Sequence, residues 1–143
     1  QSLYHPVSME ARHAIIALSD GEDNKSRFSL ADAVNEVQRA NAIFYAINPA
    51  GSSIRLNEIS MNAHSNLSIL ASETGGAAFL ADKATDLEKT LSLMATELRP
   101  QYLLSYLPAN SIADGKYRSI SVSIPQRKDL CIRSRRGYFA SFR

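Results

Sequence analysis

The residues best suited to chemistry lie together near the start of the chain, where the apolar run Ala14-Ile15-Ile16-Ala17-Leu18 gives way to Ser19-Asp20-Gly21-Glu22-Asp23-Asn24. A buried strand delivering a carboxylate onto a tight acidic turn is a way to build a cation site. Open α/β sheets collect ligands outside the carboxyl ends of their strands. Hard cations take oxygen ligands, and Mg²⁺ commonly uses one or two carboxylates with waters. Asp20, the first acid after the run, is therefore the candidate metal ligand, and Gly21 permits the sharp turn because no Cβ opposes positive φ. The segment lacks the alternating ligands and distal bidentate glutamate of an EF-hand. A plainer reading makes it a solvated turn in which Asp20 bonds nearby backbone N–H groups. His5, His13 and His64 form no i, i+4 pair, so packing or surface roles are expected of them rather than ligation.

Enzymatic signatures are missing from the sequence. There is neither a G-x-S-x-G elbow nor a G-x-x-x-x-G-K-[ST] loop. Gly75-Gly76 follows a helical pattern and precedes a strand, the reverse of the strand-loop-helix order of a phosphate site, so helix termination is its expected role. Catalytic residues and organic cofactors are thus not expected. The single cysteine, Cys131, excludes an internal disulfide and a multi-cysteine zinc cage, and is expected to be a small hydrophobe in a strand.

The elements that must position Asp20 follow from periodicity. With 143 residues, 45% of them hydrophobic, the chain suits one ordinary globular domain. No apolar stretch approaches the roughly 20 residues of a membrane-spanning helix. Residues 12–19 run apolar without alternation, as in a parallel strand covered on both faces. Ser29 is a suitable N-cap for a helix to about Ala40, with Asp32 in its first turn and Leu30, Val34 and Val37 on one face. A second strand is expected at 42–48, and a helix over 64–74 with Leu67, Leu70, Ala71 and Thr74 aligned and Gly75 as its left-handed stop. A short strand at 77–81 follows. Thr85-Asp86-Leu87-Glu88 then has the form of a capping box before Leu87, Leu91, Met94, Ala95 and Leu98. Such alternation predicts parallel strands with right-handed crossovers.

After Pro100 the period becomes two: Tyr102, Leu104 and Tyr106; Ile120, Val122 and Ile124; Leu130 and Ile132. Three half-buried antiparallel strands are expected, joined at Asp114-Gly115 and at 125–129, with Tyr102 and Tyr106 packing one face. Residues 1–100 would form one α/β unit and 101–143 an antiparallel extension. Charge divides the same way. Residues 1–100 carry 8 Lys+Arg against 12 Asp+Glu, and residues 101–143 carry 8 against 2. The basic residues are spread along strand-like segments rather than clustered with stacking aromatics, which favours a solvated strand face over nucleic-acid binding.

The motif order resembles a known family. Ser19-Asp20-Gly21-Glu22-Asp23-Asn24 after an apolar strand, followed by a helix and Ile43-Phe44-Tyr45-Ala46-Ile47, resembles the second half of a von Willebrand factor type A domain. Leu70-Ala71-Ser72-Glu73-Thr74-Gly75-Gly76-Ala77-Ala78-Phe79 is similar to the Thr-Gly-Gly segment before the last strand of such domains. Gln101-Tyr102-Leu103-Leu104-Ser105-Tyr106 and Arg135-Arg136-Gly137-Tyr138 resemble the von Willebrand factor type A-related acidobacterial branch. The resemblance implies a partial doubly wound, Rossmann-like parallel sheet with flanking helices. It also implies a metal-ion-dependent adhesion site in which Mg²⁺ or Mn²⁺ links the domain to an acidic group of a protein or polysaccharide, Asp20 matching the third-loop carboxylate. An exported, bacterial setting goes with it. The family's Asp-x-Ser-x-Ser loop is nowhere in these 143 residues, and Gln1 stands near where a second-loop threonine would fall. The expectation is a piece of a longer domain holding part of the site. The alternatives are a metal-free interaction domain with a degenerate site and, further off, a doubly wound hydrolase or nucleotide-binding enzyme. Without the opening strand, the sheet would keep an apolar edge that invites association.

Overall fold

Seven consecutive residues with no charge, Ala42–Asn48, form the strand on which the molecule is organised, designated β2. The computed structural model describes residues 13–22, 26–49, 58–127 and 129–140. β2 lies between two parallel neighbours: β1 (His13–Leu18), with His13 to Leu18 in register against Ala42 to Ile47, and β3 (Ala78–Leu80), with Ala46 to Asn48 against Ala78 to Leu80. The order is β1-β2-β3.

The alternation of side chains along β2 serves two cores. Phe44 and Ala46 meet Leu70 and Ala71 of α2 (Glu58–Thr74), with Leu30, Ala33, Val34 and Val37 of α1 (Leu30–Arg39) packed around them. Tyr45 and Ile47 meet Ala81 and Met94, with Leu87 and Leu98 of α3 (Ala84–Leu98) beside them. Ile47 and Met94 are each 1% exposed, and full burial of a side chain of that size stabilises by about 1.5–3 kcal/mol. The mixed α/β class with a parallel sheet covered on both faces at its centre is therefore as expected, as are the bounds of β2 and α1.

Helix ends are fixed by identifiable bonds. At α1, Ser29 and Asp32 form a reciprocal capping box: the Asp32 N–H donates to Ser29 Oγ and the Ser29 N–H to Asp32 Oδ2. At α2, Gly75 adopts φ +90°. The Gly76 N–H reaches Ala71 O at 2.8 Å and the Gly75 N–H reaches Ser72 O at 3.3 Å. These are the two bonds of a Schellman motif.

Four expectations are corrected. β1 is not covered on both faces: Ile16 and Leu18, on the face shared with Tyr45 and Ile47, are 47% and 60% exposed, because among the described residues β1 is the outermost strand of the sheet and they lie beyond the reach of α3. The capping box expected at Thr85 is absent. α3 starts at Ala84, with Lys83 as N-cap and no side-chain bond. The Asp86 and Leu87 N–H groups already donate to Lys83 O, so Thr85 falls inside the first turn. Beyond Pro100, among the described residues, only β4 (Tyr117–Ser119) and β5 (Gly137–Phe139) form a ladder, antiparallel, in place of three strands. Residues 102–107 belong to no strand, and Tyr102 and Leu107 are 90% and 96% exposed. Finally, Cys131 is exposed and outside any strand.

The basic tail is held against the acidic α/β part. Arg133 Nη1 lies 2.6 Å from Glu97 Oε2, and Arg136 Nη1 lies 3.6 Å from Glu73 Oε1. The Arg136 N–H donates to Glu73 O, and Arg135 bonds the Asn41 side-chain oxygen. The division of charge along the sequence is thus partly neutralised within the molecule. Within the tail itself, Gly115 takes φ +70° and Asp114 Oδ1 accepts the Lys116 N–H, making the expected Asp-Gly turn.

Candidate functional site

The acidic turn sits at the carboxyl end of β1, where a parallel sheet presents ligands. Its shape is set by short-range bonds. Ser19 Oγ accepts the Gly21 N–H at 3.0 Å, and Asp20 Oδ1 accepts the Glu22 N–H at 3.1 Å. Two longer links tie this turn to the core. Asn48, wholly buried at the end of β2, donates its Nδ2 to Asp20 O at 2.9 Å. The Ser19 N–H continues the β1–β2 ladder to Ile47 O.

Gly21 is required twice over. It adopts φ +80°, and a Cβ there would lie 2.7 Å from the Ala63 carbonyl oxygen of α2 and 2.8 Å from a Leu67 methyl. The turn is pressed onto α2, and Ser60, one turn earlier on that helix, donates its hydroxyl to Glu22 Oε1 at 2.9 Å. Asp20 itself is exposed. The structure thus places the expected ligand on a surface turn anchored from beneath, with the other described carboxylate of the turn, Glu22, engaged by Ser60. Asp23 and Asn24 lie outside the described residues, as do Gln1 and His5.

Among the described residues no group of three or more His, Cys, Asp or Glu side chains is placed to hold a metal ion. The donor set therefore fits only a fraction of a Mg²⁺ or Mn²⁺ site: one exposed carboxylate, with one oxygen committed to the turn. His64, on α2, has Ser68 Oγ at 3.5 Å from its Nε2 and is brought to no second imidazole.

Thr74-Gly75-Gly76, read from the sequence as a helix stop, does more. The Thr74 hydroxyl donates toward Leu70 O and Ala71 O, each at 3.0 Å, and accepts the Phe44 N–H at 3.1 Å. On that edge of β2 the bonding to the β3 side begins at Ala46, whose N–H reaches Ala77 O. Two residues earlier Phe44, paired to β1 on its other edge, has no β3 partner, and the threonine hydroxyl takes that place. A Cβ on Gly76 would overlap the Phe44 carbonyl, and one on Gly75 would meet the Ser134 and Arg135 backbone at 3.0–3.1 Å.

A cleft of about 380 Å³ opens beside this motif, with Ser72, Gly76, Ile120, Ser134 and Arg136 among its lining residues. No sequence pattern announced it, since it arises where the tail crosses the end of α2. Its flanking arginines, Arg133 and Arg136, are ion-paired to Glu97 and Glu73. Nearby, burial pushes the Tyr45 hydroxyl pKa above its ordinary value, reinforced by Glu97 and opposed by Arg133.

No protein-family model matches the chain, and no curated protein does. The solved structures similar to it in shape include the crystal structure of an uncharacterized membrane-spanning protein from Vibrio fischeri, with a TM-score of 0.51 and 21% identity. The likeness covers 64% of this chain and 48% of that one. This is a likeness of fold. The chain spans about half the length of that protein, and among the described residues no helix is long and apolar enough to cross a membrane.

Proposed function

We propose that the chain is a non-enzymatic binding module of the von Willebrand factor type A kind, which engages an acidic group of a protein or polysaccharide at the carboxyl end of its parallel sheet. The observation carrying this is the Asp20-Gly21 turn: an exposed carboxylate at the end of β1, braced by buried Asn48 and by α2. Rigid support under an exposed charged group is what a binding site needs, since ordering that group on association costs free energy. Asp20 is assigned a contribution of negative charge to a divalent cation, Mg²⁺ or Mn²⁺. The further ligands of such a site are not supplied by the described residues. The exported setting implied by the family resemblance belongs to the same proposal.

A second reading has its own observation. Asp20 Oδ1 is used to accept the Glu22 N–H, and the Glu22 carboxylate accepts the Ser60 hydroxyl, so the acids can serve the turn alone, in a metal-free interaction domain. The substitution Asp20→Asn separates the two, because it keeps the Oδ1 acceptor and removes the charge. Thermal melts with and without millimolar Mg²⁺ or Mn²⁺ test this, as a ligand at 100 times its Kd stabilises the native state by about 2.7 kcal/mol. A metal-dependent rise in Tm that Asp20→Asn abolishes is the expected result. Equal melts of both proteins in all conditions would leave the metal-free reading.

A further inference from the structure

We propose that the tail carries a second binding site, a slot between the two arms of its hairpin that captures the C-terminal carboxylate of an extended peptide ending in apolar residues. Arg136 is assigned the contact with the carboxylate. The site is independent of the Asp20 turn, which sits on α2 at Ser60 and Ala63, about 18 Å along that helix from Ser72 at the slot.

The slot exists because the hairpin parts beyond β4 and β5. Continued, their register sets Ile120 against Arg136, Val122 against Ser134 and Ile124 against Ile132. The Ile120 N–H donates to Arg136 O at 2.7 Å, but the Arg136 N–H leaves the ladder for Glu73 O at the end of α2. One arm is thereby drawn onto α2, where the Ser134 and Arg135 backbone lies against Gly75. Among the described residues no backbone bond joins the next two pairs. The arms meet again at the turn in which the Arg127 N–H donates to Ile124 O at 3.0 Å. Cavities of about 380 and 440 Å³ lie between them, and Val122 and Ile132 line both, so they form one slot. Each volume falls within the roughly 300–1,000 Å³ of ligand pockets.

Shape and charge select the occupant. Closed at both ends, the slot is about four residues, or roughly 13 Å, long. That is too short for a chain running through it but open to a chain end entering from one face. Among the described residues every charged side chain lining it is an arginine: Arg127, Arg133 and Arg136. The terminus that fits is therefore a carboxylate and not an amine. Arg127 is held by both oxygens of Asp129, and Arg133 by Glu97 at 2.6 Å. Arg136 is held loosely, its Nη1 3.6 Å from Glu73 Oε1 and its side chain 65% exposed. It can turn to an incoming carboxylate and form the paired bonds that suit a guanidinium. The α2 carbonyls at the slot do not oppose this, because the Gly76, Gly75 and Arg136 N–H groups bond Ala71 O, Ser72 O and Glu73 O. Behind the carboxylate, Ile124, Leu130 and Ile132 are 43%, 45% and 37% exposed and offer cover to apolar side chains. The backbones of Val122 and Ser134 are placed to pair with the peptide as a strand edge does.

Calorimetry tests this with the 143-residue chain and acetylated tetrapeptides ending in valine, leucine, isoleucine or phenylalanine, each as free acid and as amide. At least one acid is expected to bind with a submillimolar dissociation constant, and its amide about tenfold more weakly or worse, as loss of a charged hydrogen bond requires. Arg136→Gln, with far-ultraviolet circular dichroism expected to match the parent, should bind acid and amide alike. In amide NMR spectra of the parent, the acid should shift Val122 and Ser134 and leave Gly21 and Glu22 in place. No binding by any acid at millimolar concentration overturns the proposal, as does equal binding of acid and amide by the parent. Shifts confined to the Asp20 turn, or an acid preference that survives undiminished in Arg136→Gln, overturn it too.

Discussion

Replacing Thr74 by valine should destabilise the protein as much as a substitution in the centre of the core. Valine matches threonine in shape, so the buried site, 4% exposed, stays filled. What goes is the oxygen that accepts the Phe44 N–H at 3.1 Å and caps the carbonyls of Leu70 and Ala71. Phe44 is 8% exposed, and a buried donor left without a partner costs about 1–3 kcal/mol. A control isolates the cause: Thr74→Ser keeps the hydroxyl and loses one methyl, about 0.8 kcal/mol. Urea unfolding followed by circular dichroism gives both differences, since a single domain of this size is commonly two-state. With a slope of about 1–3 kcal/mol per molar urea, the valine midpoint should fall by roughly 1 M and the serine midpoint by about half as much or less. The order parent, serine, valine is the content of the prediction. A valine variant as stable as the serine one would show that the hydroxyl does not substitute for a strand partner at Phe44.

Gly76→Ala should cost more than about 2 kcal/mol, because its Cβ would overlap the Phe44 carbonyl and a packed neighbour must shift; a melt within 2 °C of the parent would refute this. The capping box predicts an acid limb. The Ser29 hydroxyl, with the Ser29 backbone N–H, holds the Asp32 carboxyl below its ordinary value of 3.8. Its folded pKa being the lower, its contribution is present above pH 3.8 and disappears as pH falls through the folded value. Asp32→Asn should therefore lower Tm at pH 7 and lose less than the parent between pH 5 and 2. Arg133→Ala removes a half-exposed ion pair with Glu97, worth under about 1 kcal/mol. It should also push the Tyr45 hydroxyl pKa higher still, since Arg133 opposes Glu97 there; an unchanged alkaline titration of tyrosine absorbance would contradict that contact.

How far the sequence reveals the fold depends on whether the determining signal is local. β2 was legible to the residue, because an uncharged run between polar turns has one good solution in an α/β chain. Ser29 and Gly75 were legible because capping and left-handed termination act within five residues. β1 was legible as a strand, but the exposure of Ile16 and Leu18 on it was not, since an apolar run does not record how far the covering helices reach. The tail failed for a related reason. Alternation at Tyr102, Leu104 and Tyr106 fixes which side chains share a face, but ladder formation needs a partner in register, which among the described residues of the tail only Tyr117 to Ser119 and Gly137 to Phe139 achieve. Of the candidate site, Asp20 and Gly21 were readable. The contribution of Asn48 was not, because it arises across 28 residues between two strand ends.

The bond from Asn48 to Asp20 also bears on how the molecule would respond to tension. Pulling at Asp20 along the strand loads the six paired positions of β1 and β2 in shear, so their bonds resist together instead of opening one by one. Asn48 ties the point of application to β2, the strand gripped by both cores, before the exposed strand can peel. A partner attached at this turn would therefore draw on the most deeply packed part of the protein, and rupture there would require the centre of the sheet to slip.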